Sequence, residues 1–209
     1  MNRNKFFVNL ALAFVKITGI IPAWLFLKPR VRRVRGARLP KNCIVVSNHK
    51  SLMDFVLYLV VFPFRTIRFL MAEVLFNKNA FFTKFLYAIG GIKVDRDAKD
   101  FSFVSDALEV LDGGGTVGIF PEGRLPVGGK PFPFTVSCAF IAMHTDVPIV
   151  PVYTDGCYGI FKRANVVIGE PVLADDLKKE GLSDDEQLEH ITSRLRDIVY
   201  SLEGEIKKK

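Results

Sequence analysis

Cysteine is scarce and unpatterned. Cys43, Cys138 and Cys157 stand far apart with no Cys-x-x-Cys pair, which speaks against a disulfide framework and gives no zinc-ligand spacing. A reducing compartment suits that usage best. No Gly-x-Ser-x-Gly elbow occurs, so the setting of a serine-hydrolase nucleophile is missing. No glycine-rich nucleotide loop and no metal-binding spacing is evident, and neither a metal nor a cofactor is predicted. Acid is thin in the first half: residues 1–100 carry 18 basic and 5 acidic groups, against 11 and 17 in residues 101–209. The basic half is expected to face something anionic. No recognition motif accompanies that charge, which argues against nucleic acid as the partner.

What is present is a large apolar fraction, 49% of 209 residues, with 19 Phe. That suffices for one domain with a sizeable core, and so many phenylalanines favour a bulky core or contact with lipid. Residues 6–27 are almost continuously apolar and nearly reach the ~20 residues a bilayer span needs. Asn2, Lys5, Asn9 and Lys16 nevertheless recur at helical spacing as one polar stripe, and Gly19 and Pro22 are expected to break the segment into two helices. A lysine costs roughly 2.5–3.5 kcal/mol at the bilayer centre and little at its surface. Helices lying in the membrane interface, with Trp24 at headgroup level, are therefore predicted in preference to a span or a cleaved signal. Lys28 to Lys41 follows with seven cations and no acid, a segment suited to anionic headgroups. The chain divides into membrane-associating residues 1–41 and a folded domain, 42–209.

Strand and helix signals alternate through the second part. Strands are predicted at 43–46, 66–71, 90–96, 116–120, 147–153 and 165–169, with helices at 72–88, 101–111 and 134–144 between them. Pro148 and Pro151 point the 147–153 strand to a sheet edge or bulge. Ser183 to Glu186 forms a capping box, opening a helix that aligns Leu188, Ile191, Leu195, Ile198 and Leu202. Lys207 to Lys209 is predicted to be a disordered tail. The expected fold is α/β, a single domain with a mixed, mostly parallel sheet flanked by helices.

Ser47-Asn48-His49-Lys50-Ser51-Leu52-Met53-Asp54 lies between a strand and a helix. Ser51 and Asp54 have the spacing of a second capping box. With His49 in the corner and Asp54 in the first helical turn, the carboxylate can reach the imidazole, fix its tautomer and leave the other nitrogen as a general base. A base without a protein nucleophile suggests that the attacking hydroxyl belongs to a substrate.

Three more strands deliver polar groups at their ends: Val94-Asp95-Arg96, Phe120-Pro121-Glu122-Gly123-Arg124 and Val150-Pro151-Val152. Two guanidiniums beside a base suit a phosphate-bearing acceptor. The blocks Asn48-His49-x4-Asp54, Gly90-x-Ile92-x-Val94-Asp95-Arg96, Phe120-Pro121-Glu122-Gly123 with a following Arg, and Val147-Pro148-Ile149-Val150-Pro151-Val152 resemble, in order, those of the glycerolphosphate acyltransferase family, 1-acylglycerol-3-phosphate acyltransferases in particular.

The resemblance implies transfer of a fatty acyl group from an acyl-CoA or acyl-carrier-protein thioester to a lysophospholipid hydroxyl, without an acyl-enzyme. It makes His49 the general base and Asp54 its partner, Arg96 and Arg124 the phosphate ligands, Glu122 the residue that positions the acceptor, and the Gly123 N–H an oxyanion donor. Two positions depart from the family pattern. Arg124 follows Gly123 directly where the family has an intervening Thr, and Lys93 stands where an apolar residue is usual. Lys93 is a further candidate for the phosphate site. The implied partners are membrane lipids, the acyl donor and the lysolipid, at the cytoplasmic face of a membrane. The competing readings are a sibling enzyme with another acceptor, such as glycerol 3-phosphate, and a catalytically silent lipid-binding scaffold.

Overall fold

A computed structural model describes residues 18–94 and 102–207 of the chain. Seven strands make one sheet: β1 (Arg30–Arg33), β2 (Cys43–Ser47), β3 (Ile67–Ala72), β4 (Ile92–Val94), β5 (Thr116–Ile119), β6 (Ile149–Thr154) and β7 (Asn165–Ile168). Their order is β1-β7-β6-β2-β5-β3-β4. β2 to β6 run parallel, whereas β7 pairs antiparallel with β6 and parallel with β1. The sheet is thus mixed and mostly parallel, as expected.

Helices cover both faces. On one side lie α1 (18–27), α2 (Met53–Val61), α3 (Glu73–Phe76) and α4 (Ala80–Ala88), and on the other α5 (Ser102–Asp112), α6 (Ser137–Met143) and α7 (Asp184–Ser201), with the short α8 (Glu203–Lys207) closing the described chain. Strand alternation builds both cores. Cys43 and Val45 of β2 pack with Leu57, Tyr58 and Phe69, while Ile44 and Val46 pack with Ala139, Ile141 and Leu195. Each aliphatic side chain so buried contributes ~1.5–3 kcal/mol relative to exposure.

Four expectations need correction. β6 is not an edge strand but lies between β2 and β7. Pro151 is tolerated there because its carbonyl accepts the Gly169 N–H at 2.8 Å, so its missing N–H falls on the same side, where β7 has ended. The predicted helix 72–88 is two helices, since the Asn79 side chain accepts the Phe82 N–H at 2.7 Å and starts α4 afresh. Helix 18–27 runs through Gly19 and Pro22 without a break. Arg30–Arg33, read only as a basic segment, forms β1 and joins the same sheet as the rest of the chain.

The capping box at α7 is present, with the Ser183 N–H 2.9 Å from Glu186 Oε2. The predicted face of that helix is also found, with Ile191 and Leu195 fully buried. The polar stripe Asn2, Lys5, Asn9 and Lys16 lies outside the described residues, as do Lys208 and Lys209, while Lys207 ends α8. Among the described residues no helix is long and apolar enough to cross a membrane.

Candidate active site

β2 and β5 are neighbours, yet the helices that follow them leave in opposite directions: α2 packs on one face of the sheet and α6 on the other. Such a reversal marks the region beyond the carboxyl ends of β2 and β5, where open α/β sheets bind ligands. His49 and Glu122 stand at its two sides. The backbone N–H of His49 donates to Glu122 Oε1 at 3.1 Å.

The corner after β2 is pinned before it turns. Asn48, fully buried, donates through Nδ2 to the Thr154 carbonyl at 2.9 Å and accepts the Thr154 N–H at 2.8 Å. This reciprocal pair ties the corner to the end of β6. Asp54, in the first turn of α2 and fully buried, then turns back toward it. Its Oδ2 lies 2.8 Å from His49 Nδ1 and accepts the N–H groups of Lys50, at 2.6 Å, and Ser51, at 2.9 Å. Its Oδ1 accepts the hydroxyl of Tyr158. The expected capping box is only half formed here, because the Ser51 hydroxyl accepts the Met53 N–H rather than that of Asp54. The carboxylate is used to hold the corner and the imidazole.

The imidazole also has a floor. Its ring stacks on Phe120, with centroids 4.4 Å apart and planes 14° apart, and Phe120 stacks in turn on Phe69 at 4.9 Å and 12°. Gly118 makes the room. A Cβ at Gly118 would come within 2.4 Å of the Phe69 ring.

Glu122 is 2% exposed and held from the other side by α7, where the Tyr200 hydroxyl donates to Oε1 at 2.7 Å. Among the described residues Oε2, which is buried, has no hydrogen-bond partner. Burial above all, and then the Glu122 carboxylate, raises the Tyr200 pKa; burial and then Asp54 do the same at Tyr158. Both phenols therefore stay protonated and serve as donors to the two carboxylates.

The site thus unites His49, Asp54 and Glu122. It does not unite every predicted residue. Arg124 is exposed, with its guanidinium 4.8 Å from the centroid of Phe132. Lys93 is exposed and ion-paired with Glu73 at 2.8 Å. The N–H of Gly123 donates to the Phe120 carbonyl at 2.9 Å, closing a turn over Pro121 and Glu122 that the chain leaves with positive φ at Gly123, so it is not free to hold an oxyanion. Arg96 lies outside the described residues, although β4 ends on the same sheet edge as β2. Asn48, though inside the quoted motif, was assigned no role, and Phe120, Tyr158 and Tyr200 were not singled out as site residues. For the two tyrosines no local pattern signals their contacts, which span 104 and 78 residues. Among the described residues no group of three or more His, Cys, Asp or Glu side chains could hold a metal.

Comparison with known proteins places this edge in context. A 1-acyl-sn-glycerol-3-phosphate acyltransferase of Borreliella burgdorferi is 30% identical over 207 residues, covering 92% of this chain and 80% of that protein. The human 1-acyl-sn-glycerol-3-phosphate acyltransferase beta is 29% identical over 127 residues, 60% of this chain and 46% of its own length. The chain thus spans less than half of that human relative. The crystal structure of the 1-acyl-sn-glycerophosphate acyltransferase PlsC from Thermotoga maritima superposes with a TM-score of 0.69 at 25% identity, over 100% of this chain and 85% of that one. The family model described as Acyltransferase matches residues 30–155, a span that begins with β1 and includes His49, Asp54 and Glu122. Sequence and fold agree, and the chain belongs to the acyltransferase family.

Proposed function

We propose that this protein transfers a fatty acyl group from a thioester, acyl-CoA or acyl-carrier protein, to the free hydroxyl of 1-acylglycerol 3-phosphate, forming phosphatidic acid. The observation that carries the reading is the His49–Asp54 pair at 2.8 Å beyond the carboxyl ends of the strands. Among the described residues no serine, threonine or cysteine is hydrogen-bonded to the imidazole. Ser47 and Ser51 are equally near in sequence: Ser47 is fully buried and engaged with Tyr58 and the Asn48 carbonyl, and the Ser51 hydroxyl accepts the Met53 N–H at 3.2 Å.

In this mechanism Asp54 keeps the proton of His49 on Nδ1, and Nε2 takes the proton of the acceptor hydroxyl as its oxygen attacks the thioester carbonyl. The C–O bond forms, the tetrahedral intermediate collapses, and the C–S bond breaks. The imidazolium, held by the Asp54 carboxylate, returns its proton to the departing thiolate. Glu122, gripped by the His49 N–H and Tyr200, positions the acceptor. Arg96 and Arg124 are the proposed phosphate ligands, and Arg124 must turn from Phe132 to serve. The names of the relatives support the acceptor, and Ile21, Trp24 and Leu25, each more than half exposed on one face of α1, support work at a membrane surface. Three free cysteines fit its cytoplasmic side.

An acceptor panel tests the reading. Purified full-length protein with palmitoyl-CoA should form phosphatidic acid from lysophosphatidic acid. Product from glycerol 3-phosphate or lysophosphatidylcholine in its place would assign a sibling reaction.

A further inference from the structure

The loop between β6 and β7, residues 155–164, faces two ways within four residues. Tyr158 points inward and donates to Asp54 Oδ1, with Thr154 Oγ1 3.5 Å from the same hydroxyl. Ile160 and Phe161 point outward, 62% and 100% exposed. The loop is not slack. Asp155 accepts the N–H groups of Cys157 and Asn165 at 3.0 and 3.1 Å, and Lys162 N–H closes a turn on the Gly159 carbonyl at 3.0 Å. Tyr158 and the exposed tip thus share one short, internally bonded loop.

The tip is also tied to α1. Lys28 Nζ donates to the Ile160 carbonyl at 2.7 Å, and Ala164 exchanges backbone bonds with the Leu27 carbonyl and the Arg30 N–H. Lys28 caps α1 with its own N–H on the Trp24 carbonyl and takes φ 43°, a conformation that usually selects glycine. Lysine here supplies the tether that glycine lacks. Helix and loop thus present Ile21, Trp24, Leu25, Ile160 and Phe161 beside the exposed cations Arg30, Lys162 and Arg163. A protruding phenylalanine edged by cations suits an anionic bilayer, which takes an apolar tip without needing a matching pocket.

We propose that Ile160 and Phe161 form a second lipid-inserting element beside α1, and that seating this loop in an anionic bilayer holds Tyr158 against Asp54. The lipid half stands on exposure and charge alone. The positioning half, which makes Tyr158 a positioning residue for His49, rests on the acyl-transfer reading.

Trp24, the sole tryptophan, reports the first half. Its fluorescence, with vesicle co-sedimentation, should show the full-length protein partitioning onto phosphatidylcholine vesicles that contain phosphatidylglycerol. Phe161→Ser should lower that partition about tenfold or more while keeping the melting temperature. Equal partition of the variant overturns the lipid half, and so does binding of acidic carrier protein through Phe161 with none to vesicles. Hydrogen exchange reports the second half without needing turnover. Adding vesicles should slow exchange in residues 155–164 and at Lys50 and Ser51, and Phe161→Ser should abolish the slowing. Slowing confined to α1 overturns the coupling. In vesicles Tyr158→Phe should bind as wild type does and lower kcat with KM unchanged; unchanged kcat in an active enzyme rejects the positioning role. Absence of acyl transfer by wild type, with the vesicle and exchange results intact, would instead reject the reading of the reaction.

Discussion

The ring of Phe120 lies 4.4 Å from that of His49 and nearly parallel to it, and its position depends on a glycine. Gly118, on the strand that leads to Phe120, leaves the space that Phe69 fills beneath it. Gly118→Val would put Cβ within 2.4 Å of Phe69 before any further methyl is counted. Overpacking of this kind costs ~1–3 kcal/mol. The expected outcome is a lower urea midpoint together with a fall in kcat, because the stack beneath His49 shifts. Phe69→Leu in the same chain should recover part of both. Full activity in Gly118→Val would show that the stack does not place the imidazole.

Asp54→Asn tests the carboxylate. Four donors converge on Asp54: Tyr158, His49 Nδ1, and the N–H groups of Lys50 and Ser51. An amide offers one acceptor oxygen and sets its own N–H groups against donors. Turnover should fall by ~10⁴-fold, by analogy with the loss of the orienting carboxylate in a Ser-His-Asp triad. Stability should fall by ~1–3 kcal/mol for the donors left unmade. Steady-state kinetics and denaturant titration of the same preparation check both.

Asn48→Ala removes both bonds to Thr154, whose N–H and carbonyl lie fully buried at the end of β6. Leaving a buried polar group unmade costs ~1–3 kcal/mol, so two groups should give a clear loss of melting temperature. Asn48→Asp retains the acceptor for the Thr154 N–H but sets a second acceptor and a buried charge against the Thr154 carbonyl, so it should lose at least as much. Equal melting temperatures for wild type and Asn48→Ala would contradict the pin.

Much of this site was legible in the sequence, for physical reasons. His49 and Glu122 follow short apolar runs, which become parallel strands whose carboxyl ends share one edge, and Asp54 opens the helix after the first of them. Local chemistry also marks Ser183 and Glu186, because a capping box is complete within four residues. The reading of β6 as an edge or bulged strand failed because a proline forbids one hydrogen bond and does not say on which side. Pro151 directs that loss toward Gly169, where the β7 ladder is over. The break between α3 and α4 was overlooked, although Asn77-Lys78-Asn79 carries a capping residue. Tyr158 and Tyr200 could not be found by pattern, since tertiary folding alone brings them to Asp54 and Glu122.

Alkaline pH should destabilise the fold. Burial raises the pKa of Cys138 to about 12, and it raises Tyr58, Tyr158, Tyr200 and Tyr153 above the ordinary phenol range. In the unfolded chain these groups release protons near ~8.5 for Cys and ~10 for Tyr. The unfolded state therefore binds fewer protons than the native state above those values, and stability falls as pH rises. The contribution of the raised groups is complete below pH ~8.5 and is lost progressively above it, most steeply beyond pH ~10. Urea midpoints at pH 8 and pH 10.5 should differ in that order. A midpoint that does not fall would contradict the burial of these groups.

Direct transfer with His49 as the base is tested most directly by thiol release. Palmitoyl-CoA is incubated with detergent-purified full-length protein, with and without lysophosphatidic acid, in wild type and His49→Ala. Release should require the acceptor, yield equimolar phosphatidic acid and disappear in His49→Ala while the variant keeps its fold. A stoichiometric burst of thiol without acceptor, leaving palmitate on the protein, would contradict direct transfer; acceptor-dependent release undiminished in His49→Ala would contradict the base.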